Sequence, residues 1–430
     1  MKPFDFCPFR FLGRAFILVV VAVLFSATSW AEWRFLPALD LEESYDSNID
    51  LSSDNETSDF ITRLSAELRL EEVSATRTFA AGYTLSLNNF RRHSENNYVG
   101  HTAALSWDQQ LSRNLSWHIM DTYYRSEEPL EEDPEYTGVR RTRNEYSRNT
   151  VDTGFTYQFG AEDRVTVSYL DNRLQNTDPD IEDDVEYGPA LEFEYWLTRS
   201  HGLVLGYSWS RIDYKDDDPS DETTEFNLGY QWRWSPHTLL HLDYGLVLFS
   251  SKAPGEEEEE DDYNVQSIAA GFDHDFGPSY SLSASLGYFF HNPKNSGPET
   301  GSTYGLDLVR NFSRGSVTLS GEGGYTLDYS GAEADGFTKY RGVSLSPAYS
   351  ISPRIELYAS TSYMYEKAEE GEEDTRDETW EASVGTSYQI LPWLSGTLEL
   401  TQRERSSSED DDEYRDSLIL LRLRGTYEWR

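Results

Sequence analysis

The sequence of 430 residues contains a single cysteine, Cys7, which lies near the amino terminus. Secreted soluble proteins commonly use disulfide bonds to hold their fold together. One cysteine cannot form such a bond within the chain. A large chain of this kind must be stabilised in another way, and closure of a β-barrel is one such way.

Basic residues are also scarce. Lysine and arginine number 36, against 77 aspartate and glutamate residues, and the formal net charge at pH 7 is −41. Nucleic-acid binding depends on Lys and Arg contacts with phosphates. The charge balance therefore argues against a nucleic-acid partner.

The apolar run at the amino terminus is too short for a membrane-spanning helix. It covers residues 15–25, follows three basic residues, and precedes small and polar residues ending at Ala31. A spanning helix needs roughly 20 apolar residues, whereas the order basic, apolar, small is that of a secretory signal. We expect residues 1–31 to be a cleaved signal peptide and 32–430 to form one domain. A retained membrane anchor is the alternative.

Aromatic residues are abundant, because 29 Tyr, 21 Phe and 11 Trp make up 14% of the chain. The strong acidity would by itself be typical of a disordered or very soluble chain, but the aromatic content contradicts disorder. An outer-membrane β-barrel combines both properties. Its lumen and loops face water, while a narrow outer band faces lipid.

Apolar and polar residues alternate along the chain, and no segment after the proposed signal has a convincing helical period. From Leu240 to Leu248 every second residue is Leu or Tyr, and His241 and Asp243 lie between them. The pattern predicts strands of about 12 to 18 residues, longer than the five or six usual in soluble sheets. This length favours membrane strands over a soluble sandwich.

The connections between the predicted strands alternate in kind. Nine are tight and contain turn formers, as in Ser235-Pro236-His237, and ten are longer and mostly acidic. Nineteen connections predict 20 strands, with 18 as the alternative, the first over 33–51 and the last over 414–429. Short periplasmic turns and longer outer loops are typical of an all-β, antiparallel, up-and-down transmembrane barrel in the outer membrane.

The most acidic loop is a run of seven consecutive carboxylates. We interpret it as a solvated loop, because like charges repel and remain mobile. The alternative is a diffuse cation-binding rim, since carboxylate oxygens suit calcium or magnesium, although no calcium-loop spacing defines a metal site. The run consists of Glu256, Glu257, Glu258, Glu259, Glu260, Asp261 and Asp262.

The polar face of the predicted strands carries charged residues that would line the lumen. They either pair across strands and fill the interior, or border an aqueous pathway and set its selectivity. A barrel of this strand number without a plug would hold a water channel, and we expect no separate amino-terminal plug domain, which disfavours an energy-coupled receptor. The predicted pore-lining residues are His241, Asp243, Glu322, Asp328, Glu356, Glu399, Arg422, Arg424 and Glu428.

No motif identifies an enzyme or a cofactor. The eight histidines, among them His101 and His118 on neighbouring predicted strands, form no recognisable catalytic set. Gly-rich phosphate loops, zinc-ligand spacings and haem motifs are also absent from the sequence. We therefore expect neither catalysis nor a cofactor.

The first predicted hairpin carries a distinctive motif, Tyr45-Asp46-Ser47-Asn48-Ile49 followed by Ser58-Asp59-Phe60. It resembles an uncharacterised family of porin-like outer-membrane β-barrels found with exopolysaccharide and exosortase (PEP-CTERM) gene clusters. The resemblance implies a role in polysaccharide export or surface organisation. Trp429, close to the carboxyl terminus, resembles the assembly signal of outer-membrane barrels and implies the barrel-assembly machinery as a partner.

Three functions follow as hypotheses. The first is an outer-membrane channel linked to exopolysaccharide export or surface assembly, and the second is a general cation-preferring porin. The third is a structural or adhesive surface barrel whose lumen is filled and whose acidic loops bind. The expected partners are outer-membrane lipid and lipopolysaccharide, divalent cations, polysaccharide and the assembly machinery.

Overall fold

The computed structural model consists of twenty antiparallel β-strands and one short 3-10 helix, Ser94–Asn96. It describes residues 32–130, 143–178, 181–215, 220–252, 262–294, 297–330, 336–370, 373–408 and 412–429. The predicted signal peptide and residues 256–261 of the acidic run lie outside these ranges.

The strands, numbered in chain order, are β1 Glu32–Asp46, β2 Asp59–Val73, β3 Arg77–Phe90, β4 Tyr98–Gln110, β5 Leu115–Ser126, β6 Tyr146–Gln158, β7 Arg164–Asn176, β8 Asp184–Trp196, β9 His201–Tyr214, β10 Ser220–Ser235, β11 Thr238–Lys252, β12 Tyr263–Asp275, β13 Tyr280–Pro293, β14 Glu299–Phe312, β15 Gly315–Asp328, β16 Gly336–Ser352, β17 Ile355–Glu370, β18 Glu373–Leu391, β19 Leu394–Ser407 and β20 Tyr414–Thr426.

Each strand pairs with its neighbours in the sequence, and the sheet closes on itself. Leu41 of β1 is opposite Leu64 of β2 and also opposite Leu423 of β20. Closure leaves every strand with two partners, which removes the exposed edges of an open sheet. The prediction of 20 strands is confirmed, and the alternative of 18 is wrong.

The two faces of the wall differ in chemistry. Along the strands the outward face carries exposed apolar side chains, for example Leu39, Leu242 and Leu286, the last of which is 68% exposed. Near the short turns, aromatic rings follow one another across neighbouring strands, with Trp107 5.4 Å from Trp117. An apolar band bordered by aromatic residues is the pattern of a membrane barrel. In the described ranges, no helix is long and apolar enough to span a membrane.

Packed side chains are concentrated inside the barrel at the long-loop end. Three buried apolar clusters lie there, around Phe90, Tyr146 and Phe289. The first strand is shorter than predicted, because β1 ends at Asp46 and not at Leu51. Beyond the strand, Ile49 is only 1% exposed and packs with the first cluster.

Candidate functional site: the inner wall and a hairpin across the mouth

The predicted lining residues occupy one face of the wall, opposite the exposed leucines. His241 and Asp243 alternate with the outward Leu240 and Leu242 on β11, and the His241 Nδ1 lies 2.6 Å from an Asp243 carboxylate oxygen. The strand pairing places Glu322, Glu356, Glu399, Arg422 and Arg424 on the same inner face. Their role in lining a conducting pathway stays a prediction.

Two of the predicted lining residues lie elsewhere. Glu428 follows the end of β20, close to the isolated bridge between Phe35 and Trp429. Asp328 ends β15, opposite Gly336, at a point where the strand has separated from β14. Its side chain is outside the described part of the structure.

Arginines are concentrated on four adjacent strands of the inner wall, β19, β20, β1 and β2. We call this region the arginine wall, and its members are Arg34, Arg63, Arg69, Arg403, Arg405, Arg422 and Arg424. All seven form ion pairs. Arg422 donates two N–H groups to one Glu42 oxygen, at 2.8 and 2.6 Å, and Arg424 pairs with Asp40 at 3.3 Å.

A second part of the inner wall carries carboxylates that pair with no arginine. We call it the acidic wall, and its carboxylates, on β10, β11, β12, β14, β15 and β17, are Glu225, Asp243, Asp273, Asp307, Glu322 and Glu356. None of the six forms an ion pair with Arg or Lys in the described ranges. Serines hydrogen bond to three of them, with Ser283 and Ser320 donating at 2.6 Å to Asp273 and Asp307, and Ser208 donating at 3.4 Å to Glu225.

Small side chains surround Asp307 on the acidic wall. Inward neighbours of Asp307 include Ser283, Gly305 and Ser320, so this carboxylate projects from a part of the wall with little side-chain bulk. Small neighbours leave this group open to the lumen. A wall of this kind attracts cations, because unpaired carboxylates raise their local concentration.

The hairpin of β15 and β16 separates from β14 before it ends, while β16 stays paired with β17 as far as Thr338 and Ala368. Pairing of β14 with β15 stops at Tyr304 and Gly323, although β15 and β16 stay paired as far as Asp328 and Gly336. The upper part of the hairpin has therefore lost its contact with β14, and it bends into the barrel.

Aromatic side chains fix the bent hairpin against the inner wall of β13. The ring of Phe337 stacks on His291 with centroids 3.7 Å apart, and Tyr325 meets Phe289 edge-on at 5.0 Å. Phe289 in turn lies directly over Gly301 of β14, where a Cβ atom would overlap its ring. Glycine is needed there because only bare backbone permits this approach.

The hairpin continues past β13 towards the far side of the barrel. Tyr329 stacks on Phe249 of β11 at 4.4 Å, and its hydroxyl lies 2.6 Å from that of Tyr263 on β12. The Tyr214 hydroxyl of β9 donates to the Tyr329 carbonyl at 2.8 Å. Burial, together with the nearby Tyr263, raises the pKa of the Tyr329 phenol above its ordinary value.

Ser330 extends the contacts of the hairpin to β8 and β6. Its hydroxyl donates to Asp184 of β8 at 2.8 Å, and Arg148 of β6 donates to the same hydroxyl at 3.3 Å. Arg148 is 1% exposed, and β6 lies nine strands from β15 in the ring of twenty. The hairpin thus spans the outer mouth from one side to nearly the opposite side.

A second loop narrows the mouth beside β2, β3 and β4. Ile49 packs on Ile61, Phe90 and Tyr98, all on the inner face. Arg143, from the chain before β6, donates to the Ile49 carbonyl and lies 4.9 Å above the Phe90 ring. Neither this loop nor the hairpin inside the barrel was expected from the sequence. The apolar residues flanking the β15–β16 connection, such as Phe337, were the available signal.

The acidic run and the histidines singled out in the sequence lie partly within the described ranges. Of the acidic run, Asp262 is described, and its carboxylate lies 3.5 Å from Lys294. His101 and His118 point to opposite faces of the wall, where His101 bonds Tyr83 and His118 bonds Asp152. Among the described residues, no three His, Cys, Asp or Glu side chains are arranged to hold a metal ion.

Comparison with known proteins identifies the fold. No family model matches the chain, and no curated protein matches it. It is similar to the ferric citrate transporter FecA in the unliganded form, at 11% identity over 93% of this chain and 79% of that one, with a TM-score of 0.57. The siderophore receptor PirA from Pseudomonas aeruginosa matches at 11% identity over 92% and 80%, with a TM-score of 0.52. The copper transporter OprC matches at 10% identity over 91% and 81%, also with 0.52.

At 10–11% identity these likenesses concern the fold alone. The fold is that of the β-barrel receptors and transporters of Gram-negative outer membranes.

Proposed function

We propose that this protein is an outer-membrane channel that favours cations and is narrowed at its outer mouth by the β15–β16 hairpin. The observation that carries the proposal is the acidic wall. Its six carboxylates face the lumen, and within the described ranges they have no arginine or lysine partner. Carboxylates along a pore attract cations and repel anions.

Location in the outer membrane is supported by the outward apolar band and by the likeness of the fold. The short turns would face the periplasm and the long loops the cell exterior. In this orientation the hairpin lies at the external mouth. The proposal includes no catalytic role and no cofactor.

Export or surface assembly of exopolysaccharide is the second candidate, and its support is the motif in the first hairpin. The motif residues form hydrogen bonds within their own loop and with neighbouring segments. The Asn48 amide donates to the carbonyls of Ser52 and Arg415, at 2.8 and 3.1 Å. The buried Asp59 accepts backbone N–H groups from Arg92 and His93. Since these contacts fold the loop and join it to β20, the motif supports the polysaccharide hypothesis less strongly than the acidic wall supports cation passage.

The purified protein in planar bilayers under a potassium chloride gradient tests these hypotheses. We expect discrete conductance steps and a reversal potential displaced towards that of potassium. Absence of conductance would contradict both channel hypotheses and favour a structural or adhesive barrel. Preference for chloride would contradict the cation proposal.

Polysaccharide in the bath separates the two channel functions. For the cation porin, an acidic polysaccharide and the same mass of its monosaccharide change the current equally. Block by the polymer alone would favour the export hypothesis. Lipopolysaccharide, divalent cations at the acidic run and the barrel-assembly machinery are further proposed partners, each accessible to pull-down or titration with the same preparation.

A further inference from the structure

The outward face of the barrel is apolar over most of its height on β11 and β13. On β11, Leu240, Leu242, Tyr244, Leu246 and Leu248 all point outward. The series on β13 extends likewise from Leu282 to Phe290. These strands show how far the apolar band reaches from the short turns.

On β5 to β9 the outward face becomes polar closer to the short turns. Asp121 is the sixth residue after the start of β5 at Leu115, whereas the sixth residue after the start of β11 is Tyr244, with two leucines above it. Strand pairing places Asp121 and Asp171 on either side of the outward Val151. The polar region therefore cuts into the apolar band.

We call this region the outer polar patch, and its members are Asp121, Arg125, Asn149, Asp171, Arg173, Arg211 and Asp213. Its side chains bond one another without becoming buried. Asn149 donates to Asp121 at 2.7 Å, and Arg173 pairs with Asp171 at 2.6 Å. Arg173 nevertheless remains 47% exposed and Asp213 42% exposed. Charged side chains on the lipid face of a barrel are destabilising, so lipid chains are a poor covering for this patch.

A cavity of about 270 Å³ opens directly above the patch, towards the long loops. Ser147 and Gln175, which face outward on β6 and β7, form its floor, and Glu145, Asp183 and Lys215 are among its walls. The patch and the cavity together form a polar region on the outward face, at a height where β11 and β13 are apolar.

We propose that the outer polar patch is a lateral contact with a second copy of this chain. The argument for a second copy is charge. Three arginines and three aspartates are interleaved in the patch, so two copies can place opposite charges together. An anionic lipopolysaccharide headgroup would meet the aspartates as well as the arginines. The inference rests on the proposed membrane location. Bilayer recordings test that location separately, because a monomer in the membrane could also conduct.

Cysteine crosslinking in outer membranes tests the contact, because residues 32–430 contain no cysteine. Asn149→Cys places a thiol in the patch, and Leu286→Cys places one on the apolar face of β13 as the matched control. With a short bismaleimide, we expect dimer from Asn149→Cys at several times the control level. Equal crosslinking of the two variants, or none in either, would overturn the proposal.

Native mass spectrometry of the wild-type protein in mild detergent gives an answer that does not depend on thiol reactivity. A particle of two or more chains is expected. Monomers without attached lipid would contradict the contact. Monomers carrying lipopolysaccharide would contradict it as well and would assign the patch to that lipid.

Discussion

The two sides of the inner wall use carboxylates differently. On the arginine wall carboxylates pair with arginines, as Glu42 does with Arg422 and Asp40 with Arg424. On the acidic wall Asp307 lies between Ser283 and Ser320, and Glu322 lies between Gly305 and Gly342, with no basic residue opposite either carboxylate. The comparison shows that a net charge of −41 says little about the field in the lumen. The strand pairing decides which carboxylates are neutralised.

The arginine wall lies at the junction of β1 and β20, where the barrel closes. The ladder between β1 and β20 runs only from Ala38 to Asp46, whereas β1 and β2 pair along all of β1. Arg422 and Arg424 reach across this shorter junction, and Arg424 extends to Glu67 of β2 at 2.5 Å. Ion pairs therefore reinforce the closure of the barrel at one of its shortest ladders.

The largest effect is expected from Arg422→Gln, which breaks the arginine wall at this junction. Glu42, whose side chain is 10% exposed, would lose its ionic partner, and leaving a charged group poorly satisfied costs about 1–3 kcal/mol. Urea unfolding in lipid vesicles measures the loss. Glu356→Gln on the acidic wall is the matched control and should leave stability almost unchanged. Adding Glu42→Gln to Arg422→Gln should restore part of the loss, and equal midpoints for all variants would contradict a role in closure.

Neutralising the acidic wall should change selectivity without changing the fold. The triple variant Asp243→Asn, Asp307→Asn and Glu322→Gln removes three lumen charges, and we expect the cation-to-anion permeability ratio to fall roughly two- to fivefold. Reversal potentials in a salt gradient measure it. Glu404→Gln, on the outward face of β19, removes a charge outside the lumen and should have no effect. An unchanged ratio in the triple variant would mean that the two walls do not differ in function.

Much of this comparison follows from sequence periodicity, but not all of it. Alternation alone placed Asp243 and Arg422 on one face, since side chains in a strand alternate with a period of two. Pairing of Arg422 with Glu42 could not be predicted, because it depends on the register between the first and last strands. The bent hairpin was also missed. Alternation continues through Tyr325 and Phe337 although β15 has separated from β14 there, so periodicity cannot distinguish an outward ring from one folded into the lumen.

A more local effect is expected from Gly301→Ala, which acts on the hairpin above the acidic wall and not on the closure of the barrel. The added methyl group would displace the Phe289 ring, and overpacking of this kind typically costs about 1–3 kcal/mol. Because Phe289 contacts Tyr325, the hairpin should loosen, and single-channel recordings should show more frequent current fluctuations. Gly297→Ala is the control, since no atom lies within 4 Å of its Cβ position. Identical traces for both variants would show that Phe289 does not hold the hairpin.

The smallest effect is expected from deletion of residues 256–261, which keeps Asp262 and its contact with Lys294. Charges in a solvated loop act only over the Debye length, about 30 Å at 0.01 M salt and 3 Å at 1 M. The deletion should therefore lower cation preference slightly at 0.01 M and not at all at 1 M. The acidic wall lies within the lumen, close to passing ions, so its triple variant should still differ from wild type at 1 M. A deletion effect that persists at 1 M would mean that the acidic run lies in the ion path, and selectivity could then no longer be assigned to the wall alone.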